Sequence, residues 1–106
     1  MLGLLMNKNQ ALAAISEIES LIERFGSPDE QALRRIKSLT LDLEGDDNYF
    51  NEKLGELRNW AMIGFSTRKF VKHGGVEQVS GHARTDCMVL RRLINKWPDS
   101  SPAISE

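Results

Sequence analysis

The chain has 106 residues, 41% apolar and 27% charged, with a net charge of −1 and one cysteine, Cys87. That balance is near the globular average and excludes a disordered, collagen-like or disulfide-stapled chain, and the length suits one domain that removes roughly two thirds of its extended surface from water. The opening MLGLLM is six apolar residues with no cationic region before it, too short for a signal peptide or a membrane span, so a cytoplasmic protein with no membrane association is expected.

In chain order, the first helix is expected over 8–25. Ala11, Ile15, Ile18, Ile22 and Phe25 alternate spacings of four and three, and Gly26 follows as a residue able to take positive φ. SPDE then offers Ser27 as N-cap, Pro28 in the first turn and Glu30 to complete a capping box, so a second helix is expected over 28–44 on Leu33, Ile36, Thr40 and Leu43. So short a connection forces an antiparallel hairpin. GDDN is a turn with an Asp N-cap, opening a third helix over 47–72 on Phe50, Leu54, Leu57, Ala61, Gly64 and Arg68, about 40 Å long if unbroken. Tyr49, Trp60, Ile63 and Phe65 lie off that stripe, so this helix is read as apolar on two sides, with the excess facing a second subunit and Gly64 admitting a close approach.

HGGVEQVSGH interrupts the pattern, and a β-hairpin pairing KFVKH with VEQVS across Gly74-Gly75 is a rival reading of 69–80. A fourth helix over 82–97 follows from Ala83, Cys87, Leu90, Ile94 and Trp97, stopped by Pro98. Residues 99–106 have the composition of a flexible tail. The expected fold is all-α: one antiparallel four-helix bundle over 1–98, dimerising through its third helix.

Charge divides the chain. Residues 1–57 carry six Lys or Arg against eleven Asp or Glu, whereas 58–97 carry eight cations against only Glu77 and Asp86. One account packs the two halves together so that they partly neutralise. The other turns Arg68, Lys69, Lys72, Arg84, Arg91 and Arg92 toward an acidic partner, nucleic acid included.

Arg68 and His73 have the spacing R-x4-H and are followed by Gly74-Gly75. In a helical chain of this length that element resembles the HEPN superfamily of helical-bundle domains. The resemblance implies a metal-independent, RNA-directed nuclease, or an inactive nucleic-acid-binding relative, working as a dimer. Arg68 would then stabilise charge on a phosphate and His73 would act in proton transfer, roles suited to an always-charged guanidinium and a side chain titrating near neutrality. Read from residue types alone, Arg68, Lys69, Lys72 and His73 also suit a helix C-terminus, where the dipole favours cations.

Other chemistry is sparse. His82 and Cys87 lie five residues apart, about 140° around a helix, which does not make a metal site with His73, and Cys87 sits on an apolar stripe where a thiol is inert. Asp46 and Asp47 are what a helix start requires. No metal or cofactor is expected. The reading is a small cytoplasmic interaction or regulatory protein acting as a homodimer, with the HEPN-like nuclease or nucleic-acid binder as the alternative.

Overall fold

The computed structural model describes residues 6–98, so the tail and the first five residues lie outside it. Four helices form: α1 (Lys8–Ile22), α2 (Glu30–Leu43), α3 (Asn48–Gly64) and α4 (Val76–Ile94), with a short 3₁₀ segment (Lys69–His73) between the last two. Among the described residues there is no strand. Each helix packs on its two neighbours around the ring, α1 on α2, α2 on α3, α3 on α4 and α4 back on α1, which is the arrangement of a four-helix bundle.

Local chemistry explains the starts. Asn7 and Gln10 form a reciprocal capping box before α1, at 2.8 and 3.0 Å. The cap of α2 is Asp29 rather than Ser27: its carboxylate accepts from the Ala32 N–H at 3.1 Å and is also held by Arg24 at 2.6 Å, leaving Ser27 and Pro28 in the turn. An ionised acceptor with a second partner outcompetes a hydroxyl there. Asp47 caps α3, accepting from the Tyr49 and Phe50 N–H groups, as the GDDN turn implied.

The stripes meet as their spacing requires. Ile15 and Ile18 of α1, Ile36 and Leu43 of α2, Leu54 and Leu57 of α3, and Ala83, Leu90 and Ile94 of α4 are fully buried in one cluster. Gly26 takes φ 121° and donates its N–H to the Gly64 carbonyl at 2.8 Å, tying the α1–α2 turn to the end of α3. At Gly64 a Cβ would lie 2.3 Å from the Phe25 ring, so this glycine admits a side chain in close approach.

Two boundaries differ from the sequence reading by more than a turn, the others by three residues or fewer. α3 ends at Gly64, not 72, and spans about 25 Å. Phe65 turns into the core, edge-on to Phe25 at 4.9 Å, and Ser66 Oγ then accepts from the Lys69 N–H, a cap-type bond that continued helix would not make. α4 begins at Val76, not 82: Val76 and Val79 extend its apolar stripe, and Gly81 lies on an open face where its helix cost of about 1 kcal/mol relative to Ala is tolerated. The hairpin reading of 69–80 is therefore replaced by a 3₁₀ segment and the first turns of a helix.

Candidate functional site

The α3–α4 connection is a built feature. Ser66 Oγ donates to the Ile63 carbonyl at 2.5 Å and accepts from the Lys69 N–H at 3.0 Å, which starts the 3₁₀ segment. Gly74 at φ 91° and Gly75 at φ 96° end it, and the Gly75 N–H donates to the Phe70 carbonyl at 2.9 Å. Phe70 packs against the core and anchors the segment from inside. Arg68, Lys69, Val71, Lys72 and His73 are left outside, Val71 at 65% exposure.

Arg68 and His73 occupy the two ends of this segment. Among the described residues no hydrogen bond, ion pair or ring contact joins Arg68 to His73. His73 instead meets the edge of Trp60, with ring centroids 5.6 Å apart at 90°, while His82 from α4 lies flat on the same indole at 4.7 Å and 17°. Both histidines of the chain thus contact one tryptophan.

Two groups stand out among the basic residues. Arg24, Arg34, Arg35, Lys53, Arg58 and Arg91 hold carboxylates. Arg91 is engaged in the bundle: its guanidinium donates to both Glu19 oxygens at 2.6 and 2.8 Å and to Ser16 at 3.0 Å, which holds the Glu19 carboxyl below its usual range. Arg68, Lys69, Lys72, Arg84 and Arg92 are exposed and make no ion pair among the described residues. Among the described residues the ion pairs that join the basic segment to the acidic half are Arg58–Glu44 and Arg91–Glu19, so neutralisation between those halves is partial there.

Of the four side chains expected to face a second subunit, Ile63 (9% exposed) and Phe65 (5%) are buried in the chain's own core. The early end of α3 folds Phe65 inward, while Ile63 is buried on the last turn of α3 itself. Tyr49 remains half exposed and Trp60 partly so. Cys87 is fully buried, and burial pushes its thiol up to about 12, which leaves it no nucleophile. Among the described residues no three His, Cys, Asp or Glu side chains gather as a metal site.

One feature escaped the sequence reading. Asp86 of α4 is 5% exposed and faces Glu56 of α3, whose carboxylate is held by Lys53 at 3.2 Å. Burial, then the charge of Glu56 and a hydrogen bond to it, push the Asp86 carboxyl up to about 7, against a smaller opposing effect of Lys53. The signal was present: Val79, Ala83, Asp86, Leu90 and Ile94 form one helical row, so an acid occupies an apolar position. No family model matches this chain, nor does any curated protein or solved structure.

Proposed function

We propose that the chain is a cytoplasmic interaction protein that acts as a homodimer and engages an acidic partner protein through the α3–α4 linker. The observation that carries this reading is that Arg68, Lys69 and Lys72 surround the exposed Val71 with no carboxylate paired to any of them among the described residues. An apolar knob rimmed by unneutralised charge is the composition of a protein-binding patch, in which the apolar centre supplies affinity and the charge supplies steering. The segment is also preformed, anchored by Phe70 and by His73 against Trp60, so little ordering entropy opposes binding. An overall charge of −1 and a pI near 6.1 favour a local patch over a general polyanion binder. Tyr49 and Trp60 supply the apolar area on α3 for a second copy. Among the described residues no helix is long and apolar enough to cross a membrane.

The test compares affinity capture by the native chain with capture by the triple variant R68E/K69E/K72E, using R92E as a charge control. A partner held by the native chain and by R92E, and lost from the triple variant, supports the reading. Equal capture by all three overturns it. Retention on RNA that falls steeply with salt assigns the same cations to nucleic acid. RNA cleavage abolished by Arg68→Ala and by His73→Ala would replace the proposal with the HEPN-like nuclease, whose two motifs would have to meet across a dimer.

A further inference from the structure

The α3–α4 seam holds a buried acid that its surroundings satisfy in only one protonation state. Asp86 Oδ2 is inaccessible to solvent and accepts no hydrogen bond among the described residues. Leaving an ionised oxygen in that condition costs far more than leaving a neutral one. Its neighbour is Glu56, another carboxyl, and two carboxyls in contact satisfy each other only when a proton lies between them.

The charges around the pair decide which oxygen keeps the proton. Glu56 accepts from Lys53 Nζ at 3.2 Å, so a cation already faces that carboxyl. The Lys53 ammonium also lies 5.5 Å from the Tyr49 ring, and it bears on Asp86 with a smaller effect that opposes the proton, so this cation is shared and bonded to Glu56. From α1, Glu19 bears on the neighbouring Cys87 and is occupied by Arg91. His82, one turn before Asp86 on α4, and His73 of the linker are both taken up by Trp60. Nothing among these groups gives Asp86 a cation of its own.

We propose that Asp86 retains its proton in the folded chain and donates it to the Glu56 carboxylate, making the α3–α4 seam a proton-operated fastening that loosens as the pH rises. The sign follows from linkage. Asp86 is raised from 3.8 in the unfolded chain to about 7 when folded, so between those values the folded chain binds the extra proton. The stabilisation is complete below about pH 4, is lost as the pH climbs toward 7, and is level above that. Trp60 lies one turn beyond Glu56 and His82 one turn before Asp86, so the fastening is contiguous with the ring stack that holds His73 and the linker.

The test is urea unfolding of the full chain between pH 5 and 8, for the native protein, Asp86→Asn and Glu56→Gln. The first variant keeps the shape and gives Glu56 an N–H donor without a titrating proton; the second supplies a donor from the other side. In the native protein the unfolding constant is expected to rise with pH, by up to about tenfold per unit where the slope is steepest. Asp86→Asn is expected to lose most of that slope and Glu56→Gln the smaller part that Glu56 supplies beside burial, and because both keep His73 and His82, the difference isolates the carboxyl. Should one variant fail to fold, the other carries the comparison, together with a ¹³C carboxyl titration of Asp86 in the native chain. A native unfolding constant that does not change between pH 5 and 8, variants that keep the native slope, or an Asp86 carboxyl that titrates near 4 would each overturn the proposal.

Discussion

The α1–α2 hairpin and the α3–α4 pair contribute to the same core and differ in how they treat charge. In the hairpin the Arg34–Glu30 and Arg35–Glu17 pairs are solvent-exposed, Arg24–Asp29 is partly so, and both helix starts have side-chain caps. In the α3–α4 pair an acid is buried, α4 has no side-chain cap, and the linker cations have no carboxylate among the described residues. Local rules are obeyed in the first region and broken in the second. Natural sequences depart from such rules chiefly where function or regulation requires it, which is why the linker and the seam are where activity is sought.

The comparison breaks first if the shared core does not weigh on both pairs. Leu57→Ala in α3 and Ile36→Ala in α2 each remove a fully buried side chain and are expected to destabilise by about 2–5 kcal/mol in urea unfolding. A loss below about 1 kcal/mol at either would mean that the two hairpins are not packed as one unit. Next is Gly64→Ala, where the new Cβ must displace the Phe25 ring; a cost of about 1–3 kcal/mol is expected. Phe25→Leu in the same chain should recover part of it, because the clash is with the ring, and a double-mutant cycle reads that coupling.

Asp86→Leu sharpens the contrast directly. Leucine has the same branching as aspartate and restores an apolar residue to the Val79–Ile94 row. At pH 8 the variant is expected to be more stable than the native chain by about 1–2 kcal/mol, since a poorly compensated buried charge is replaced by packing. At pH 5 the advantage should shrink, because there the native carboxyl is protonated and bonded to Glu56.

Most of the fold could be read from the sequence because burial follows a repeating pattern. The rows through Ile15, Ile36, Leu57 and Leu90 had the helical period and met in one cluster. What could not be read depends on competition between neighbours. Phe65 ends α3 because Phe25 waits for it, and nothing local in GFSTR announces a partner forty residues upstream. Val76 and Val79 start α4 early because a bundle neighbour covers them, overriding two glycines and Gly81. At the site, the exposed cations were evident from composition, whereas Arg91 gave no sign that Glu19 would occupy it. The contact between Asp86 and Glu56 needed the register of two helices, which periodicity within each does not supply.

The smallest effects separate two ion pairs that look alike on paper. Glu17–Arg35 and Glu19–Arg91 both join a glutamate of α1 to an arginine on a neighbouring helix at 2.6 Å. Arg35 is half exposed, so solvent and salt screen its charge, and Arg35→Ala is expected to leave the urea midpoint at neutral pH almost where it was. Arg91 is a third exposed, bonds both Glu19 oxygens and Ser16, and lies against Cys87; after allowance for screening, Arg91→Ala should cost about 1 kcal/mol. Both glutamates have folded values held below 4.5 by their arginines, so the stabilisation they give is present above that value and is lost as the pH falls through the folded ones. This acid limb is opposite in sign to that of Asp86. Stability should therefore peak at about pH 4 to 5, where the glutamates are ionised and Asp86 is still protonated. Arg91→Ala and, more weakly, Arg35→Ala should flatten the acid limb without touching the limb toward pH 7, and Asp86→Asn should do the reverse. A single variant that flattened both limbs would show that the hairpin and the seam titrate as one network.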